Sequence, residues 1–178
     1  MCRKVGFIVE GPSDKPVVEA LIKGMDFIPI IRIAGGSKIL TASEWITSRL
    51  YEAGAEKVIA LVDSHCHPDI ETFEKKVKEK MGRIKGLTLC IVIHAIESWM
   101  LSDEKALGNY LHSEVPHQTS PEESCRPEED LNRIFHIHGK GRTYLKRTDA
   151  PGIAAHLDRA TVQYRCRSFA RFLEVIET

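Results

Sequence analysis

Three acidic side chains lie at sequence positions where they could form one metal-binding or catalytic site. Glu10, Asp63 and Glu97 each follow closely after an apolar run typical of a buried strand. If these strands are parallel, their carboxyl ends meet at one edge of a sheet, where ligands bind in open α/β folds. Clustered carboxylates repel one another, and a hard divalent cation is the usual compensation. A lone acid is most often a solvated loop residue or a helix cap, but three at strand ends favour a metal site that binds phosphate-bearing substrates.

The elements that must position these acids alternate along the first part of the chain. Apolar runs predict strands over 4–10, 27–33, 57–62 and 87–94, and helical spacing predicts helices over 14–23, 38–52 and 70–83. This alternation predicts an α/β, Rossmann-like fold whose four-stranded parallel sheet is covered by helices. Pro29 removes a ladder donor, so we expect the second strand at an edge. Ser13 or Asp14 is the expected N-cap of the first helix.

The pattern changes after residue 94. Short helices are predicted at 97–100, 103–112 and 130–136, a polar loop at 113–127, a basic irregular segment at 139–149, and closing helices at 153–157 and 162–176. We therefore divide the chain into an α/β core, 1–112, and a loop and helical extension, 113–178, packed on it in a single domain. Trp45 and Trp99 are both expected in the core.

Composition restricts the partners and the compartment. The chain has 25 Lys and Arg against 25 Asp and Glu, so net charge gives no signal for nucleic acid or membrane. Its apolar runs are too short to span a bilayer, and no signal peptide is recognisable, so no membrane partner is expected. Five cysteines without a CxxC argue against a disulfide framework and for a reducing cytoplasm.

One local basic cluster could hold phosphates. Lys140, Arg142 and Lys146 surround Tyr144 in the irregular segment, and such groups grip nucleic-acid backbones. Lys38 follows Gly35-Gly36-Ser37 and is a further candidate phosphate contact, although the full P-loop pattern is absent. A solvated charged face is the alternative interpretation of these positions.

Specific motifs resemble a known family. Ile-Val-Glu-Gly-Pro-Ser-Asp, 8–14, looks like the first motif of the TOPRIM domain shared by topoisomerases, primases and the overcoming-lysogenization-defect nucleases. Leu-Val-Asp-Ser-His, 61–65, is similar to the second motif, in which a strand ends in Asp-x-Asp. Segments 94–103 and 167–173 resemble a TOPRIM-like family of small prokaryotic proteins, some encoded near restriction and phage-defence genes. The likeness covers nearly the whole chain.

The resemblance implies a TOPRIM fold and a phosphoryl-transfer site assisted by Mg²⁺ or Mn²⁺. It makes Glu10 a general acid/base or metal ligand and Asp63 the first metal aspartate, while Glu97 and Asp103 match acids of the later segment. The resulting candidate site comprises catalytic Glu10, Asp63 and Lys140, metal ligands Glu10, Asp63, His65 and Glu97, and substrate-binding Ser13, Asp14, Lys38, Lys140, Arg142 and Lys146.

His65 departs from the family pattern because it stands where the second aspartate belongs. Imidazole suits Mn²⁺, Zn²⁺ or Fe²⁺ better than Mg²⁺. Three consequences are left open: a different metal, loss of the second metal position, or replacement of the missing carboxylate by Asp69. His65, Cys66 and His67 also suggest zinc, but adjacent residues rarely all reach one tetrahedral ion.

Three functions remain. The first is a cytoplasmic, metal-dependent nuclease acting on nucleic acid in prokaryotic defence or DNA repair. DNA is favoured over RNA as its substrate, but the choice between them and the need for a partner ATPase are left open. The second is a non-catalytic TOPRIM-like module that binds nucleic acid, a nucleotide or a protein. The third is a subunit of a larger complex that docks through 113–127.

Overall fold

The computed structural model describes residues 3–118 and 120–178 and has an α/β fold. Its strands are β1 (Lys4–Val9), β2 (Ile28–Ile33), β3 (Lys57–Asp63) and β4 (Leu87–Val92). All neighbouring strands pair in parallel, in the order β2-β1-β3-β4. The predicted Rossmann-like sheet is thereby confirmed, as is the edge position of the strand that contains Pro29.

Helices cover both faces of the sheet. They are α1 (Asp14–Leu21), α2 (Ile39–Glu52), α3 (Ile70–Met81), α4 (Glu97–Leu101), α5 (Glu104–Leu111), α6 (Pro127–His138), α7 (Lys146–Ala154), α8 (Arg159–Arg165) and α9 (Arg167–Glu177), with a 3₁₀ turn at Gly36–Lys38. Within the described residues, no helix is long and apolar enough to cross a membrane.

Three features of the second half differ from the prediction: the start of α6, the position of α7, and the predicted helix 162–176, which is divided at Cys166 into α8 and α9. Helix α6 begins at Pro127, where proline at the first turn and the acidic residues after it suit a helix start, a signal that the sequence does contain. Helix α7 occupies part of the segment predicted to be irregular. Its start is stabilised by the Asp149 carboxylate, which accepts the Leu145 N–H at 2.6 Å. That carboxylate also pairs with Arg142, a contact between positions that periodicity does not reveal.

The core lies in two layers, one on each face of the sheet. One layer joins β1 to α1 and to helices of the C-terminal part through Phe7, Trp99 and Phe172. The other packs α2 and α3 on the sheet through Ile8 and Leu50. The 113–178 segment therefore shares a continuous core with the first half of the chain.

The two tryptophans have opposite environments. Trp99 is fully buried, and its indole N–H donates to Ser168 Oγ at 2.8 Å, as expected for a core residue. Trp45 is 65% exposed, so its predicted core position is wrong. Helix α2 buries Ile39, Ser43, Ile46, Thr47 and Leu50, and Trp45 falls outside that stripe. The Arg49 guanidinium instead lies over its ring at 5.6 Å.

A disulfide joins Cys66 to Cys125, so the expectation of no disulfide is wrong for this pair. Residue 66 follows β3 and residue 125 precedes α6, and only tertiary packing brings the two segments together. Cys90 and Cys166 are free and buried. Cys2 lies outside the described residues.

The strand order creates a crevice between β1 and β3. After β1 the chain enters α1 on one face of the sheet, whereas after β3 it enters α3 on the other face. Loops that leave adjacent strands toward opposite faces open a gap at the carboxyl edge, the usual ligand position in such folds. Glu10 and Asp63 stand at this gap.

Candidate functional site

Four carboxylates gather at the carboxyl edge, and we call them the acid cluster: Glu10, Asp14, Asp63 and Glu97. Glu10 directly follows β1, Asp63 ends β3, and Asp14 and Glu97 are the first residues of α1 and α4. The parallel register of β1, β3 and β4 brings these ends to one side of the sheet, as predicted for three of them. Asp14, predicted to bind substrate, is the fourth.

The cluster crowds four carboxylates together, and the neighbouring Lys146 and His65 offset part of their charge. Burial raises the pKa of Asp63 well above its usual range, and repulsion from Asp14, Glu10 and Glu97 raises it further. Burial also raises the pKa of Asp14 to about 6; a hydrogen bond from Gly11 opposes this shift and repulsion from Glu97 adds to it. Carboxyl groups perturbed by burial and by one another are typical of functional sites and of sites that accept a cation.

Glu10 bridges β1 and β3. Its Oε1 accepts the Asp63 backbone N–H at 2.9 Å, and its Oε2 lies 3.6 Å from His65 Nε2. The nearby Glu10 carboxylate raises the pKa of His65 despite partial burial. The N–H groups of Gly35 and Gly36 donate to the Glu10 carbonyl at 3.0 and 2.7 Å. Glu10 is thereby fixed at the crevice, with a histidine beside its free oxygen.

Asp14 and Ser13 form a buried turn behind Glu10. Ser13 occupies the N-cap position of α1, but its hydroxyl donates to Asp14 Oδ1 at 3.1 Å and makes no capping bond. Asp14 Oδ2 accepts the Gly11 N–H at 2.7 Å. Both side chains are more than nine-tenths buried. The Ser13 and Asp14 side chains therefore form hydrogen bonds with each other and with the Gly11 backbone N–H.

Glu97 and Lys146 form a largely buried ion pair. Glu97 is 1% exposed, and Lys146 Nζ lies 3.1 Å from its Oε1 and 3.0 Å from Glu128 Oε2. Glu97 Oε1 has no well-oriented hydrogen bond. Burial opposes the charge of Lys146, but the two carboxylates raise its pKa overall. Lys146, predicted to contact substrate phosphate, is thus already held by two acids, of which sequence reasoning missed Glu128.

Tyr144 is the buried aromatic beside this pair. It is 3% exposed, and its hydroxyl has no hydrogen-bond partner. Burial and the charges of Glu97 and Glu128 raise its pKa. Buried polar groups are normally satisfied, so this hydroxyl is an exception that the described contacts do not explain. Sequence reasoning placed Tyr144 among the basic residues, and no local pattern indicates its burial.

A cavity of about 540 Å³, the acid pocket, opens beside the cluster. Its lining residues are Asp63, His65, Cys66, His94, Ala95, Glu97, Cys125, Arg126, Pro127, Glu128, Glu129, Asn132 and Lys146. A neighbouring cavity of about 980 Å³, the side pocket, shares His94 with it. His94 has a left-handed backbone, φ 60°, and a buried Nδ1 without a partner.

Three of the predicted basic residues lie away from the acid pocket. Lys140 is in the turn after α6 and does not line the cavity. Arg142 pairs with Asp149 at 2.7 Å, and its guanidinium lies over the Tyr110 ring at 5.8 Å. Lys38 is exposed in the 3₁₀ turn, next to the glycines that bond to Glu10.

Two further acids have capping roles. Asp69 caps α3 by accepting the Glu71 and Thr72 N–H groups at 3.0 and 3.1 Å, so it does not supply the missing second aspartate. Asp103 caps α5 through Ala106 and also accepts the Asp158 N–H at 2.8 Å. Neither carboxylate lines the acid pocket.

The acid cluster fits a divalent cation in donor type and charge. Carboxylate oxygens are the ligands preferred by Mg²⁺ and Mn²⁺, and the pKa values of Asp63 and Asp14 are raised first by burial and then by repulsion among the acids. However, no three His, Cys, Asp or Glu side chains of the described residues are arranged to hold an ion. Ion binding therefore requires the carboxylates to turn toward one another. Cys66 is unavailable to zinc while it is in the disulfide.

We expect Lys146→Gln to destabilise the fold, because it leaves the Glu97 carboxylate buried without its cation. The loss should be about 1–2 kcal/mol, since Lys146 is partly solvated. Chemical denaturation measures it. Adding Glu97→Gln should restore part of the stability, whereas Lys140→Gln, in an exposed turn, is the matched control. Equal stability of Lys146→Gln and Lys140→Gln would contradict the importance of the pair.

Comparison with known proteins gives one match. The family described as "Domain of unknown function (DUF4276)" matches residues 9–177, nearly the whole chain. No curated protein and no solved structure matches the chain. The match begins one residue before Glu10 and contains the whole acid cluster.

Proposed function

We propose that the chain, which belongs to the DUF4276 family of domains of unknown function, is a divalent-metal-dependent phosphoryl-transfer enzyme acting on nucleic acid, a nuclease of the TOPRIM kind. The acid cluster carries this proposal. Four carboxylates stand at the carboxyl edge of a parallel sheet, two of them with raised pKa values, beside a cavity large enough for a nucleotide unit.

Asp63, Glu10 and Glu97 are the carboxylates that would hold the ion. A bound Mg²⁺ or Mn²⁺ supplies polarisation of a phosphoryl oxygen and a lower pKa for a water nucleophile. Glu10 suits a general base because its Oε1 is fixed by the Asp63 N–H while its Oε2 faces His65. The exposed His65 balances the Glu10 charge and can pass a proton to solvent.

The finer assignments rest on the motif resemblance. It favours DNA over RNA as the substrate and supports a role in prokaryotic defence or repair inside the cytoplasm. It leaves open whether cleavage also needs a partner ATPase. The resemblance is carried by Glu10 within 8–14 and by Asp63 within 61–65. His65 at the second aspartate position favours Mn²⁺ over Mg²⁺.

A non-catalytic binding module is the second candidate, and two observations favour it. The described acids form no ready ligand set, and Lys146 already neutralises Glu97. In this case the acid pocket would bind a nucleotide, nucleic acid or protein without metal-dependent cleavage. Binding of labelled single-stranded DNA in EDTA, unchanged by Mn²⁺, would identify this behaviour.

Thermal melting with EDTA, Mg²⁺, Mn²⁺ and Zn²⁺ tests the metal site. A ligand that binds only the native state stabilises it, so we expect Mn²⁺ or Mg²⁺ near a hundred times its Kd to raise Tm by roughly 5 °C or more. Asp63→Asn should remove this rise because it replaces a central carboxylate of the cluster.

Glu129→Gln is the matched control for this experiment. Glu129 lines the acid pocket, but it pairs at the surface with Arg126 at 3.0 Å. Its variant should keep the full metal response. If no ion shifts the melting of the unmodified protein, the enzyme proposal fails and the binding module takes its place.

A further inference from the structure

We propose that the Cys66–Cys125 disulfide is a site of thiol–disulfide exchange that controls access to the acid pocket, with a dithiol as its reactant. As regulation of that pocket it rests on the proposed function, but the exchange and the opening can be measured without any cleavage. The inference comes from the position of the bridge, the exposure of its cysteines and the contacts around it.

The bridge forms part of the pocket wall. Cys66 directly follows His65, the partner of Glu10, and Cys125 lies two residues before the first residue of α6. Both cysteines line the acid pocket, and both are exposed to solvent. A dithiol can therefore approach the bridge, unlike the buried thiols of Cys90 and Cys166.

The same bridge stands between the two cavities. On its acid-pocket side are His65 and Arg126, whereas the residues beyond it, His67 and 120–123, line the side pocket. His94 belongs to both linings. Opening the bridge would therefore join the two cavities into one longer groove, which suits an extended substrate better than either cavity does alone.

The disulfide is also the main connection between the two loops that contain its cysteines, 64–69 and 113–126. Among the described residues, no hydrogen bond or ion pair joins 64–69 to 113–126 apart from contacts of the two cysteines themselves. Each loop has its own anchor elsewhere: the His65 N–H donates to the His94 carbonyl at 2.9 Å, and Glu122 accepts the Arg167 N–H at 2.7 Å. Reduction should therefore release the link between the two loops while both anchors hold, and 123–126 then keep only local bonds, such as Ser124 to Asp130 and Arg126 to Glu129.

The loop after β3 is strained beside the bridge. His65 and Cys66 are consecutive non-glycine residues with left-handed backbones, φ 43° and 58°. Such a conformation is unfavourable for residues other than glycine and persists where the surroundings enforce it. Because the bridge holds Cys66 in place, reduction also allows His65 to move relative to Glu10.

The exchange reaction balances with a dithiol alone. One thiolate of the dithiol attacks a bridge sulfur, forming a mixed disulfide and releasing the other cysteine as a thiolate. The second thiol of the reagent then attacks the mixed disulfide and leaves as a cyclic disulfide. Two electrons pass to the bridge, and two protons complete the Cys66 and Cys125 thiols. A disulfide oxidant reverses the sequence.

Hydrogen exchange on the full chain tests the opening. With dithiothreitol, amide exchange in peptides covering 123–126 should rise about tenfold relative to the oxidised protein, while peptides of β3 stay unchanged. The double variant Cys66→Ser/Cys125→Ser should exchange at the reduced level with or without dithiothreitol. Alkylation mapped by mass spectrometry should mark Cys66 and Cys125 only after reduction. Unchanged exchange at 123–126 after proven reduction overturns the inference, as does a bridge that resists dithiothreitol in the native protein.

A binding measurement separates this inference from the proposed function. In the Glu10→Gln background with Mn²⁺, short fluorescein-labelled single-stranded DNA should bind at least about fivefold more tightly after reduction. If exchange at 123–126 rises but no DNA binds in either state, the redox opening stands and the nucleic-acid function fails. If DNA binds or is cleaved equally in both states, the function stands and control by the bridge is refuted.

Discussion

Replacing Glu10 by Gln is expected to lower metal-dependent DNA cleavage about a thousandfold while leaving the fold intact. General acid–base catalysis contributes roughly a hundredfold to ten-thousandfold, and the charge lost at a metal position adds to that effect. Gln retains an oxygen that can accept the Asp63 N–H, which Glu10 accepts at 2.9 Å, so the link between β1 and β3 is preserved. Single-turnover cleavage of labelled DNA with Mn²⁺ measures the change.

The control for this prediction is again Glu129→Gln, which removes a carboxylate that lines the acid pocket but does not belong to the acid cluster. It should cleave at the unmodified rate. Circular dichroism and melting in EDTA establish that both variants are folded. Full activity of a folded Glu10→Gln protein would remove Glu10 from the catalytic role and would leave the binding module as the better proposal.

Asp14→Asn is expected to stabilise the metal-free protein at neutral pH by roughly 2 to 3 kcal/mol. The pKa of Asp14 rises from 3.8 to about 6 on folding because the carboxyl group is buried beside other acids. The folded state therefore holds this proton more tightly than the unfolded state does. The stability that the protonated Asp14 carboxyl group contributes is lost as pH rises between about 4 and 6, and it stays lost above that range. Asn cannot ionise, and it can still accept the Gly11 N–H.

Urea denaturation in EDTA across this pH range measures the difference between Asp14→Asn and the unmodified protein. The difference between the two free energies of unfolding should be near zero at pH 4, grow toward pH 6 and then level off. Asp69→Asn is the opposite control, because hydrogen bonds with Thr72 lower the pKa of the exposed Asp69 at the start of α3. Its contribution to stability is present at neutral pH and is lost on acidification. A pH-independent effect of Asp14→Asn would contradict the proposed charge crowding.

The dependence on pH also connects stability with ion binding. A cation held by Asp63, Glu10 and Glu97 must displace the proton of Asp63 and disfavours the proton of the neighbouring Asp14, and the pKa values of these two aspartates are raised. Mn²⁺ stabilisation should therefore be stronger at pH 8 than at pH 5. This follows from the same crowding that makes the metal-free Asp14→Asn variant more stable.

Local signals in the sequence determine the sheet and its acidic edge. Apolar runs with β-branched residues specify strands because their side chains pack on both faces of a buried sheet, and alternation with helices specifies parallel pairing. Once the strands are parallel, Glu10, Asp63 and Glu97 must lie at the same edge of the sheet, independently of the contacts that their side chains make. The position of Pro29 likewise determines that its strand lies at the edge of the sheet.

Tertiary packing decided what surrounds those acids. Lys146 is held by Glu97 and Glu128, and the Tyr144 hydroxyl is buried near them. The Cys66–Cys125 bridge and the exposure of Trp45 arise in the same way. Strand and helix formation depends on neighbouring residues, whereas burial, ion pairing and disulfide pairing depend on which distant segments come into contact. That is why the sequence determined the edge at which the chemistry lies, and only the folded chain decided the charges and the pocket wall around it.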